Sequence, residues 1–382
     1  RDRALHDTRR EGILPAMHTS TNGHAGGDGV GSTQAPTFRL WLMMVLEFAI
    51  WGAWLPLIWG YMGKDGLDFT ASQQAWVGSA FTHMQDAQKE FGIVRMGGTI
   101  GWILVAWPLY FILEGKSGAE AVAASRNIFL ISGVISLALA AYSLFLPHTP
   151  PKPAAPGEGG FAWLKAAKYL ARPYLLVLFV VTFIDAVIHN GYFVMAGEFL
   201  GSPTVGLPAK WIMPVMSIGQ VAEIATMAVL GGVLAKLGWK TTMILGILGH
   251  AARFAVFALL PQNQTVIIAV QVLHGICYAF FFATLYIFID AAFPKDVRSS
   301  AQSLFNLLVL GLGDLAAKWL FIPLQQRLTT DAGIDYKTLF MVPVVMSLVA
   351  AVLLLLAFWP PRRLDDADIA KDDLATESPN IT

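Results

Sequence analysis

The chain reads as an all-α polytopic membrane protein, and two observations predict that class. Hydrophobic residues fill 55% of its 382 positions and charged residues only 14%, where a soluble domain carries about a quarter charged residues. Apolar runs recur along the chain, each near the roughly 20 residues that cross a bilayer as a helix. The formal net charge of zero says nothing about a nucleic-acid partner, and neither a basic stripe nor a nucleic-acid-binding motif appears, so none is expected.

Taken in order, residues 1–37 are polar and Gly-rich without an apolar core, the composition of a disordered tail. Candidate spans follow at 38–61, 97–113, 127–146, 174–195, 211–234, 241–260, 266–293, 301–324 and 339–359. Between the third and fourth lies PHTPPKPAAPGEGG, a Pro/Gly break, and then FAWLKAAKYLAR, a basic amphipathic stretch. Residues 147–172 therefore read as a linker between a front half, 38–146, and a back half, 173–360, with a polar tail at 361–382. The single cysteine, Cys277, lies inside an apolar run, where packing is its expected role.

Cations in short loops orient helices toward the cytoplasm. In the back half they sort cleanly. Lys165, Lys168 and Arg172 precede its first span, Lys236 and Lys240 follow its second, Lys295 and Arg298 its fourth, and Arg362 and Arg363 its sixth. The linker and the C-terminus are thus expected to be cytoplasmic. Arg1, Arg3, Arg9, Arg10 and Arg39 place the N-terminus there too. Three front spans are an odd number, so the two ends of the front half cannot share a side.

The conflict points to QAWVGSAFTHMQDAQKEFGIVRMGG (74–98), where an apolar helix begins at Ala75 and turns polar after Phe81 with no Gly/Pro break. Six back spans behind a basic linker, with GGVLAKLGWK (231–240) as a Gly-rich basic turn, suggest a two-halved transporter. More specifically, LEFAIWGAWLPLIWGYM (46–62), RMGGTIGW (95–102), MSIGQVAE (216–223) and DVRSSAQ (296–302) resemble the nucleoside:proton symporter family of the major facilitator superfamily. The resemblance implies a major facilitator fold with a complete six-helix back half. It also implies that helices 2–4 of the front half are missing, with their flanks joined between Phe81 and Thr82. Three lost helices restore the parity.

Ionisable side chains in a bilayer cost roughly 2.5–3.5 kcal/mol each on insertion scales, so each needs a partner or a cavity. Gln220 and Glu223 share one helix face, and the resemblance makes them substrate ligands, suited to a ribose hydroxyl and a base edge. It likewise implies substrate contacts at Arg95 and Thr99, with Trp102 stacking on the base, and at His189 or Asn190, His274 and Tyr278. His274 stands where the family has an aromatic, and Ala279 where it has an acid. Proton coupling then falls to Glu223 or to Asp185, whose carboxylate lies one turn from His189 as a proton relay or a structural ion pair. Glu47, His250 with Arg253, and Asp314 with Lys318 read as structural, and Phe280, Phe281 and Phe282 as packing.

No HExxH, P-loop or GxSxG motif occurs, so neither a catalytic residue nor a metal or cofactor site is expected. The expected partners are a nucleoside, a proton and the lipid bilayer, in the inner membrane of a bacterium. Two alternatives stay open. One is a non-transporting homologue, degenerate or arising from a faulty gene assembly; the other is a transporter of another small polar solute such as a sugar.

Overall fold

A computed structural model describes residues 91–145, 166–294, 297–331 and 333–361, together with Leu42, Val45, Leu46 and Ala49. The N-terminal tail, the junction at Phe81 and Thr82, most of the linker, the C-terminal tail and the side chains of Glu47 and Arg95 lie outside the described residues.

Among the described residues the front half shows α1 (Phe91–Leu113), α2 (Gly118–Ala124) and α3 (Asn127–Ser143). Gly115, at φ 75°, ends α1 in the left-handed conformation that suits glycine. Gly101 of α1 lies against the Val45 backbone, an approach that any side chain at 101 would block.

The back half opens with α4 (Pro173–Gly201), whose first residue is the proline that helix starts tolerate. Next comes α5 (Ala209–Leu259), 51 residues long, about 77 Å of helix and more than twice the hydrocarbon thickness. Gly238 breaks it at φ 70° and ψ 175°, so α5 crosses twice, with Lys236 and Lys240 flanking the turn. A fourth crossing is built from α6 (Gln264–Ala269), α7 (Val272–Cys277), a π-helical turn at Tyr278–Ala283 and α8 (Thr284–Ala292). The fifth combines α9 (Arg298–Asn306), a second π turn at Leu307–Leu312 and α10 (Gly313–Arg327). A short hairpin, β1 (Thr329–Thr330) with β2 (Gly333–Ile334), leads into α11 (Tyr336–Ala357), capped by Asp335. These are the six back-half spans that hydropathy predicts. The π turns are not legible in it.

Glycines set the packing. An added Cβ at Gly219 would come within 2.8 Å of His274 Cβ, and one at Gly275 would strike the Glu223 backbone. At Gly249 it would meet Cys277 Sγ at 2.9 Å and at Gly246 the Phe281 nitrogen at 2.7 Å. So α7 and its π turn wedge against both halves of α5 with backbones nearly touching, the close approach that small residues permit in membranes.

The buried side chains form two apolar clusters. One holds Trp102, Tyr192, Phe199, Phe254, Phe321 and Phe340; the other holds Leu178, Met243, Phe281, Phe288, Phe305 and Leu354. Along each back-half crossing a buried polar residue stands near the middle of the span: Asp185, Glu223, His250, His274, Asp314 and Ser347. A belt of buried polar residues therefore runs through the middle of the back-half crossings.

Candidate functional site

The first half of α5 runs antiparallel to α1. Near one end Lys210 pairs with Glu114 at 3.2 Å and Trp211 meets the Tyr110 ring at 5.0 Å. At belt depth Thr99 Oγ1 donates to Glu223 Oε1 at 3.3 Å, with both residues buried. A hydroxyl of the front half thus meets a carboxylate of the back half. Gln220 lies one turn away on the same face, buried, and its amide oxygen has no hydrogen-bond partner among the described residues.

The small residues explain why these groups can meet. Thr99 follows Gly98, which is also buried, and Gly219 and Gly275 let α7 press the His274 ring onto α5. His274 stacks on His189 of α4, with centroids 5.0 Å apart and planes 22° from parallel. His189 also touches Tyr278 at 5.8 Å and Phe282 at 5.0 Å. Trp102 closes the front side, packing on Phe193 at 5.3 Å, and Phe193 in turn meets His274 at 5.5 Å.

Of the site residues predicted, the fold gathers Thr99, Trp102, His189, Gln220, Glu223, His274 and Tyr278 around one contact between α1, α4, α5 and α7. Asn190 is engaged elsewhere. Its amide donates to Ala186 O at 2.9 Å and to Val309 O at 3.0 Å, satisfying a carbonyl inside the second π turn. His189, not Asn190, therefore faces the aromatic cluster.

Behind His274 lies a chain of charges that helical spacing alone does not connect to the site. Arg253, completely buried, reaches His274 Nδ1 at 2.7 Å and His250 Nδ1 at 3.2 Å. His250 Nε2 is 3.6 Å from Asp185 Oδ2. Arg253 also stacks over Tyr192 at 3.9 Å, and the Tyr192 hydroxyl donates to Gln271 at 2.7 Å. A buried cation and a buried carboxylate thus compensate each other through imidazole. The spacing of His250 and Arg253 suggests a self-contained pair; the fold ties that pair to the predicted site. Asp314 and Lys318 do form the expected i, i+4 ion pair on α10. Among the described residues no three of His, Cys, Asp and Glu are arranged to hold a metal.

Comparison with known proteins bears on the family and the fold. A family model described as nucleoside H+ symporter matches residues 35–82 and 79–363. Its two blocks meet where the sequence places the junction. The putative nucleoside transporter YegT of Escherichia coli is 24% identical over 422 residues, covering 87% of this chain and 98% of its own length. That alignment is longer than the 382-residue chain, so roughly 90 positions of the relative lack a counterpart, about three spans with their loops. The xanthosine permease of Escherichia coli is 25% identical over 342 residues, covering 86% of this chain and 75% of the relative. The crystal structure of a point mutant of nucleoside transporter NupG superimposes with a TM-score of 0.68 at 17% identity, covering 85% of this chain and all of that one. The fold is that of the major facilitators, and the chain belongs to the nucleoside H+ symporter family.

Proposed function

We propose that this protein carries nucleosides, together with protons, across the cytoplasmic membrane of a bacterium. The observation that carries the reading is the Thr99–Glu223 hydrogen bond, which joins the two halves at belt depth in a chain of this family. Arg95, Thr99 and Trp102 hold the substrate from the front half; His189, Gln220, Glu223, His274 and Tyr278 hold it from the back, and Asn190 braces α4 behind them. Residues 38–146 and 173–360 act as the two rocking bodies, joined by the linker 147–172 and flanked by tails at 1–37 and 361–382.

Glu223 is well placed to couple the proton. An ionised carboxylate only accepts hydrogen bonds, and here it accepts one from Thr99. Protonation turns one oxygen into a donor, changes what Thr99 and the sugar hydroxyls can offer it, and so alters the contact between the halves. Asp185 is the second candidate, reached through His250. Rocking then exposes the site to alternate sides.

The test is uptake of labelled uridine or adenosine into proteoliposomes with and without a proton gradient. Gradient-driven accumulation is expected, together with its loss in Glu223→Gln. Uptake indifferent to the gradient sinks the coupling claim.

A second reading is favoured by one observation. The span Gly118–Ser143 has only 11% of its central window buried, as a front half without its full set of helices would leave it. On that reading the chain binds nucleosides but does not complete the rocking cycle.

A further inference from the structure

Two consecutive crossings of the back half each contain a π turn, and the two are held in different ways. Within the first, Tyr278–Ala283, a side-chain donor comes from the same crossing: Thr284 Oγ1 donates to Ala279 O at 3.4 Å. Within the second, Leu307–Leu312, it comes from another helix. The Asn190 amide of α4 donates to Val309 O at 3.0 Å and to Ala186 O of its own helix at 2.9 Å. A glycine seats the same helix against the turn. A Cβ at Gly313 would lie 2.5 Å from Leu308 O, a carbonyl of the π turn, and 2.6 Å from Ala186 Cβ. Ala186 and Asn190 are four residues apart, so one face of α4 both covers the second turn and donates into it.

The neighbouring residue connects α4 to the first turn. His189 meets Tyr278 at 5.8 Å and Phe282 at 5.0 Å, and it stacks on His274 just before that turn. His189 and Asn190 thus place one short piece of α4 between the two π turns. A π turn wraps i→i+5 where an α-helix wraps i→i+4. Closing it to α therefore rotates the helix on one side against the other by one residue, roughly 100°. A hydrogen bond is lost beyond about 3.5 Å, so a shift of α4 by about 0.5 Å decides whether Val309 O is held. Packed interfaces convert shifts of that size into discrete rearrangements.

We propose that Asn190 is the positioning residue that holds the fifth crossing in its π register, and that this turn is the joint at which α9 and α10 change register during transport. The inference rests on the nucleoside reading above. A nucleoside entering beside His189 displaces α4, Asn190 leaves Val309 O, and the turn closes to α. Its return to π resets the site. Asn190 acts through the turn and touches no substrate.

The experiment uses the full chain, in lipid nanodiscs for cryo-electron microscopy and in proteoliposomes for exchange of labelled uridine. Asn190→Leu keeps the size of the side chain and removes its amide. It is expected to show one unbroken α-helix from Arg298 to Arg327. Exchange should be at least about tenfold slower, with uridine binding within about threefold of the parent. Asn190→Gln, which keeps an amide donor, should retain the π turn and at least about a third of the exchange rate. Gly313→Ala sets a methyl against Leu308 O and Ala186 and leaves Asn190 in place. It should straighten the crossing and slow exchange in the same way. A second π turn that persists in both Asn190→Leu and Gly313→Ala overturns the inference, as does a straightened crossing with exchange at the parent's rate. Uridine binding lost as steeply as exchange makes Asn190 a substrate ligand and overturns it too. A parent that binds no nucleoside, with a turn that still closes in Asn190→Leu, overturns the nucleoside reading and leaves the hold of Asn190 on the turn standing.

Discussion

Two spans of similar apolar character meet opposite surroundings in this molecule. In Gly118–Ser143 only 11% of the central window is buried, and Leu130 and Leu137 are 66% and 73% exposed. In Ala209–Leu259 the buried share is 61%, and the first of its two crossings carries Gln220 and Glu223. Glycines repeat the contrast: Gly133 on α3 has nothing within 4 Å of its missing Cβ, while Gly275 is pressed against the backbone of Glu223. Lipid tails are as apolar as leucine, so composition alone does not say whether a span faces lipid or protein. The difference lies in how many neighbours surround each span: among the described residues the six crossings of the back half pack on one another, while α3 meets few partners.

The sharpest way to break this comparison is to supply the neighbours. Inserting helices 2–4 of a relative such as YegT between Phe81 and Thr82 is expected to raise nucleoside uptake at least about tenfold. It should also protect a Leu137→Cys probe from a lipid-soluble maleimide. If neither changes, α3 is a lipid-facing helix by design and the front half is sufficient as it stands.

Within the back half, Asp314→Ala removes the buried ion-pair partner of Lys318 on α10 and is expected to cost about 3–5 kcal/mol, read as thermal unfolding in detergent. Combining Asp314→Asn with Lys318→Gln, which removes both charges together, should recover most of it. The exposed Lys210–Glu114 pair between the halves should be worth less than about 1 kcal/mol by the same measurement.

Gly275→Val comes next, at about 1–3 kcal/mol from overpacking between α7 and α5. The same substitution at Gly133 should fall within about 0.5 kcal/mol of the parent. Equal effects at the two positions would mean that α3 is packed after all.

The smallest expected effect is at the Asp335 cap of α11, where Thr338 N donates to the carboxylate at 3.1 Å and Thr338 Oγ1 at 2.6 Å. Asp335→Ala is expected to cost about 1 kcal/mol at neutral pH. The hydrogen bonds from Thr338 hold this carboxyl below its ordinary 3.8. A depressed folded-state value means that the stabilisation is complete above the unfolded value and fades as pH falls through the folded one. The difference in Tm between parent and variant should therefore be constant above about pH 5 and shrink below about pH 4.

Particular residues show how far the sequence carries and where it stops. Gln220 with Glu223 are legible as polar groups on one helix face, Thr99 with Trp102 only through the family resemblance, and the fold brings the two sets together. Asn190 is legible as a polar group but not as a brace, because its target is a carbonyl inside a π turn that no periodicity announces. Arg253 reads in sequence as one member of a local pair. Its role depends on His274, 21 positions away, and on Tyr192, which belongs to another helix.

By itself the sequence determined the membrane class, the family and the six crossings of the back half. These follow from local features: apolar length sets crossings, and motif order sets family. Only the tertiary structure decided that the polar residues form one belt between two apolar cores, that a guanidinium bridges two imidazoles, and that one apolar span is packed while another is largely exposed. Those outcomes depend on which side chains come within about 3–4 Å of each other across helices, and no property of a single helix contains that information.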